Sequence, residues 1–157
     1  MMNSKIISRS KAKRLCRRLK SDGKKIIFTN GTFDILHLGH VVYLEKAKRL
    51  GDILVVGVNS NRSVKSYKGP GRPVNSEKDR IRVVAALECV DYAVIFDDPT
   101  PLALICEIQP DVLVKGADWK KNKIAGAGEV ESWGGCVRRI PLVKGRSTTA
   151  LLKKMRA

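Results

Sequence analysis

Histidine is scarce in this chain of 157 residues: there are two, and both fall in one stretch, FTNGTFDILHLGH, as His37 and His40. Aromatic residues make up 5% of the chain and are missing from the first 25 residues, so no base-stacking platform for nucleic acid is visible there. The four cysteines, Cys16, Cys89, Cys106 and Cys136, lie far apart in sequence. Such spacing excludes a CxxC-type zinc cluster and a disulfide scaffold, and leaves buried, reduced thiols as the expectation. No apolar run approaches the ~18 residues that a membrane span needs. The opening MMNSKIISRSKAKR has no apolar core of signal-peptide length, so a cytoplasmic protein without membrane contact is expected.

Acidic residues are also few: 15 Asp and Glu against 31 Lys and Arg, a net charge of +16. More than half of the excess lies in the first 25 residues, where Asp22 is the sole acid. A nucleic-acid arm and an amphipathic helix with a solvated basic face both fit that pattern. Leu15, Cys16 and Leu19 interleave with the charges at helical spacing, which favours the helix, and a nucleic-acid partner is not expected. Residues 1–23 are read as a basic N-terminal helix or extension, and residues 24–157 as one domain, a length that a single core can fill.

Against these absences stands a regular alternation. Short runs rich in Val and Ile predict strands at Lys25–Asn30, Ile53–Asn59, Tyr92–Phe96, Asp111–Lys115 and Val137–Pro141. They are apolar on both faces, as strands covered by helices on both sides are. Helical patterns lie between them: about Gly39 to Leu50, with Gly51 as a terminating residue, from Ser76 onward with Asp79 completing an imperfect capping box, about Pro101 to Ile108, and after Ser147. The expected fold is α/β: a Rossmann-like domain with a five-stranded parallel sheet and helices on both faces. Ile27, Val55, Val94 and Val114 should then be buried. The segment KSYKGPGRPVN, residues 65–75, reads as a mobile loop, either a phosphate-contacting lid or plain surface.

In such sheets ligands bind beyond the C-terminal strand edges. The histidine stretch ends the first strand, and Gly39 and His40 would open a helix whose free N–H groups and dipole favour an anion. Gly39 removes a side chain where a ligand would approach, and the imidazoles, Thr32 and Asp34 surround the spot. A metal site would need a third ligand, and the chain has no third histidine. A purely structural pair is possible on spacing alone, but phosphate binding is the favoured reading.

GTFDILHLGH resembles the signature of the HxGH nucleotidyltransferases, the cytidylyltransferase-like superfamily. The blocks RPVNSEKDRIRVVAALECVDYAVIF, PDVLVKGADW, IAGAGEV and GRSTT follow in the same order as in the D-glycero-β-D-manno-heptose 1-phosphate adenylyltransferases, which occur alone or as the second domain of a bifunctional kinase–adenylyltransferase. The resemblance runs from about Lys24 to the C-terminus. It implies a Rossmann-like fold and transfer of AMP from ATP to a sugar 1-phosphate, giving ADP-heptose for lipopolysaccharide core synthesis and pyrophosphate, with Mg²⁺ accompanying ATP. It implies that His37, His40 and Thr32 hold and stabilise the phosphates and that Asp34 orients the sugar or helps hold Mg²⁺. Phe33, Gly39, Lys115, Gly116, Asp118, Trp119, Ser147, Thr148 and Thr149 would bind the nucleotide. Lys68, Arg72 and Arg80 would meet pyrophosphate or the sugar phosphate. No protein ligand to the metal is assigned, and a homodimer is the default expectation. Glycerol-phosphate cytidylyltransferases carry RTEGISTS near the end, whereas LVKGRSTT here puts Leu142 in place of the leading arginine. That departure favours adenylyl transfer. A glycerol-3-phosphate-type cytidylyltransferase and a nucleic-acid module on the same fold are the alternatives.

Overall fold

The computed structural model describes residues 4–157. Five strands, β1 (Ile26–Gly31), β2 (Ile53–Asn59), β3 (Tyr92–Phe96), β4 (Val112–Gly116) and β5 (Cys136–Ile140), form one parallel sheet in the order β3-β2-β1-β4-β5. The chain moves outward from β1 to β3, then returns to the other side of β1. The switch point therefore lies between β1 and β4, where Phe28 pairs with Leu113.

Helices cover both faces, and alternate strand residues serve each. On one face, Ile27, Leu54, Val56 and Val114 pack under α2 (Leu38–Lys48) and α4 (Glu77–Ala85). On the other, Ile26, Phe28, Val55 and Leu113 pack under α1 (Arg9–Ser21), α5 (Leu102–Ile108) and α6 (Ala127–Ser132). Ile27, Val55, Val94 and Val114 are fully buried, as the strand patterns require. The last helix, α7 (Thr148–Arg156), begins at Ser147, whose side chain accepts from the Ala150 N–H. Ser76 caps α4 by accepting from the Asp79 N–H, and its hydroxyl donates to the Asp79 carboxylate at 2.6 Å.

The basic N-terminal helix is α1. Ala12 and Cys16 enter the core, and Arg9 ties the helix to Glu107 at 2.8 Å and to Asp98 at 2.6 Å. Just before it, the Ile7 N–H donates to Ala93 O, extending the β3 edge by one bridge. Residues 1–3 of that segment lie outside the described residues.

Several local expectations need correcting. Gly51 is not a left-handed helix stop: a Cβ there would come within 2.3 Å of Ile27 Cδ1, so the position is glycine for close packing against β1. The thiols are free, but only Cys16 is buried; Cys89 and Cys136 are half-buried, and Cys106 is exposed. Residues 65–75 are not all loop. Asn61–Lys68 forms α3, capped by Ser60, and only the strap 69–75 is irregular. A polar run with a single buried aliphatic, Val64, carries too little periodicity to announce a helix.

Candidate active site

The site is assembled where β1 gives way to α2. His37 is the N-cap of α2: its backbone is extended, and its Nδ1 accepts from the Gly39 N–H at 3.1 Å. That bond leaves Nε2 as the ring's donor. One turn on, the His40 ring stacks on His37, with centroids 3.9 Å apart. Gly39 makes this possible, because a Cβ there would meet the His37 ring at 2.8 Å and Arg146 O at 3.1 Å. The glycine thus clears room for the imidazole itself, not only for a ligand.

His40 is the least satisfied group of the region. Its Nδ1 is buried without a hydrogen-bond partner among the described residues. Burial, then the neighbouring His37 and Lys68, push its pKa down to about 4, so the ring is neutral at pH 7. Burial and Arg146 lower the pKa of His37 as well. Opposite, α7 begins: Thr148 Oγ1 lies 3.4 Å from Ile35 O, and a small cleft lined by His37, Leu38, Arg146, Ala150 and Lys154 separates the two helix mouths. Ser147, Thr148 and Thr149 therefore stand beside the histidines, and two helix N-termini converge on one place.

Other expected residues fall into two groups. Thr32 belongs to the mouth, and its hydroxyl is hydrogen-bonded to Tyr67 of α3. Lys68 also faces it, close enough to His40 to lower that residue's pKa. Phe33 is instead a wall: it is buried, takes a left-handed φ of 49°, and packs 5.4 Å from the His40 ring centroid. Asp34 is buried and engaged. One oxygen accepts from Arg72 Nε at 3.0 Å and the Val74 N–H at 2.9 Å, and the other from the Asn75 N–H at 2.8 Å. Burial works to raise its pKa, but these donors outweigh it and hold the carboxyl below its ordinary value. Asp34 and Arg72 thus pin the strap to the end of β1.

Arg80 is not an open phosphate contact. It is fully buried and donates to Asn75 O, Thr32 O, Asn59 O and Asn61 Oδ1 at 2.5–3.1 Å. Nor do these residues fit a protein-held cation. No three His, Cys, Asp or Glu come together among the described residues, and the one carboxylate at the mouth already accepts from three donors of the strap.

A second corner lies past β4. Lys115 Nζ donates to Asn30 Oδ1 at 2.6 Å and sits 5.4 Å from the centroid of the half-exposed Trp119 ring. At Gly116 a Cβ would lie 2.4 Å from Asp118 Oδ1 and 3.3 Å from Leu142 Cδ2, so the Asp118 carboxylate folds back over the glycine. Sequence reasoning missed Tyr67, Asn75, Asn30 and Arg146. For Tyr67 and Asn75 the signal was the helix start at Ser60 and the strap it feeds, which polar composition concealed; Asn30, at the end of β1, and Arg146, just before α7, carried no signal of their own.

Three comparisons bear on this geometry. The cytidylyltransferase-like family matches residues 28–155. The chain is 53% identical over 133 residues to the bifunctional protein HldE of Syntrophotalea carbinolica, covering 85% of the chain and 27% of the relative. It is 48% identical over 155 residues to that of Magnetococcus marinus, covering 99% of the chain and 32% of the relative. The chain thus spans about a third or less of the length of these curated relatives. Among solved structures, a lipopolysaccharide core biosynthesis protein from Thermoplasma volcanium superposes with a TM-score of 0.63 at 30% identity, over 78% of this chain and 98% of that one. A pantoate-beta-alanine ligase from Francisella tularensis reaches the same TM-score at 16% identity over 95% of this chain and 72% of its own, a likeness of fold alone. With the HxGH helix mouth at the sheet's switch-point edge and a match over most of its length, the chain belongs to the cytidylyltransferase-like family of nucleotidyltransferases.

Proposed function

We propose that the protein transfers AMP from ATP to D-glycero-β-D-manno-heptose 1-phosphate, releasing pyrophosphate and forming ADP-heptose. The observation that carries this reading is the stacked imidazole pair at the mouth of α2, with one buried ring nitrogen left unpartnered. A neutral imidazole carries one N–H donor, and a phosphate oxygen between two helix N-termini is a natural acceptor for it.

Catalysis on this reading is positioning and charge stabilisation. His37 Nε2, His40, Lys68 and the N-termini of α2 and α7 hold the triphosphate and take up the charge that builds on the departing pyrophosphate. The Thr32 hydroxyl, now shared with Tyr67, joins them. Gly116, Asp118 and Trp119 line the nucleoside side. The resemblance brings Mg²⁺ with ATP; it would ride on the phosphates, since the described residues offer no carboxylate cage. The heptose acceptor is supported by about half-identity to bifunctional HldE proteins and by the lipopolysaccharide core protein as a structural neighbour. A cytosolic enzyme and a homodimer remain the working expectations.

The test is a pyrophosphate-release assay crossing ATP and CTP with heptose 1-phosphate and glycerol 3-phosphate. Release only with ATP and the heptose phosphate is expected. Preference for CTP and glycerol 3-phosphate would overturn the assignment.

A further inference from the structure

Lys115 has no role in the histidine mouth, yet its placement is costly. Its side chain is half-buried, burial drives its pKa down to about 8, and Asp118 is the charged group that counteracts the shift. Its hydrogen-bond partner is a neutral amide, Asn30 Oδ1, at 2.6 Å. Buried lysines ordinarily pair with a carboxylate. An ammonium sheltered from water and held by an amide is poised for an anion that arrives from outside.

The alternation of the strands fixes the direction it faces. Along β1, Phe28 packs on the α1/α5 side and Ile27 on the α2 side; along β4, Leu113 packs on the α1/α5 side and Val114 on the α2 side. Two residues further, Asn30 and Lys115 share the α1/α5 side. Thr29, one residue earlier, turns instead toward α2 and meets Tyr43 OH at 2.8 Å. The Asn30–Lys115 pair and the histidine helix thus stand at the same strand edge, on opposite faces of the sheet and on adjacent strands of its switch point. An in-line displacement needs the leaving group on one side of the phosphorus and the nucleophile on the other, and two anion-binding groups set apart across the sheet edge are suited to hold them so.

We propose that Lys115, which the family resemblance would give to the nucleotide, instead binds the phosphate of the acceptor, oriented by Asn30, on the side of the nucleotide's α-phosphorus away from the histidines. The inference rests on the nucleotidyl-transfer reading above and adds a residue that selects the acceptor class, a phosphate monoester. An acceptor phosphate oxygen, already ionised at neutral pH, forms the new bond to the α-phosphorus. The bond from the α-phosphorus to the bridging oxygen breaks, and its electron pair leaves on pyrophosphate. No proton is transferred. Lys115 neutralises the incoming dianion, which would otherwise be repelled by the triphosphate.

The test uses the whole protein saturated with α,β-methylene-ATP, which fills the triphosphate site, and follows inorganic phosphate binding by ³¹P NMR. Lys115→Met should weaken phosphate at least tenfold while changing affinity for the nucleotide analogue less than about twofold. Lys115→Arg should keep phosphate affinity within about threefold. Thermal melts of both variants verify folding. Phosphate binding by Lys115→Met equal to that of the unmodified protein overturns the proposal. So does an equal loss of nucleotide and phosphate affinity, or no phosphate binding by the unmodified protein. The transferase reading fails separately: phosphate would bind through Lys115, yet no acceptor would release pyrophosphate.

Discussion

Two cations near the C-terminal edge of the same sheet, Arg80 fully buried and Lys115 half-buried, behave in opposite ways. Arg80, in the β1–β2 corner, spends its donors on three backbone carbonyls and an asparagine and holds the turn after β1 to the strap. Lys115, in the β1–β4 corner, touches one amide oxygen and an aromatic ring. The same contrast separates Asp34, saturated by three donors, from His40, whose Nδ1 has no partner among the described residues. Saturated polar groups build the scaffold, and under-satisfied ones wait for a ligand.

The sharpest way to break this contrast is to remove one member of each kind. Arg80→Ala strands several buried carbonyls and should cost about 3–5 kcal/mol of stability in urea unfolding. Near-normal stability would remove Arg80 from the scaffold. His40→Ala should do the reverse: turnover falls by about 10²–10³-fold with little change in melting temperature. Comparable losses in both quantities would make His40 structural. Asp34→Asn should destabilise by about 1–3 kcal/mol, through weaker hydrogen bonds to Arg72 and the strap amides, and should speed proteolysis in residues 69–75. A variant as protease-resistant as the original would contradict the pinning role.

The smallest effect concerns pH. His40 titrates near 4 in the folded protein and near its ordinary 6.5 when unfolded. Between those values the unfolded chain binds the extra proton, so stability falls as pH drops through that window. The loss should be on the order of 1–2 kcal/mol once partial solvent contact is counted, and should vanish in His40→Ala. A pH dependence identical in both proteins would place the titration elsewhere.

The five strands were legible because Val and Ile runs buried on both faces have few other uses. The helix mouth was legible because two histidines flank a glycine just past a strand. What stayed hidden was the division of labour among polar residues. Asp34, Arg72 and Arg80 look like ligand contacts in sequence, since charge beside a motif carries no record of its internal partners. The strap's anchoring is a pairing of residues about 40 positions apart, from Asp34 to Val74 and Asn75. Phe33 looked like a nucleotide contact and is a buried prop for His40, a role set by its left-handed backbone.

Because the chain holds only two imidazoles, their ¹⁵N resonances can be read directly while ATP is added. Both rings should shift, and the His40 pKa should rise from about 4 as the phosphate charge settles beside the ring. Unmoved imidazole signals in a sample that calorimetry shows to have bound ATP would contradict the account at its centre.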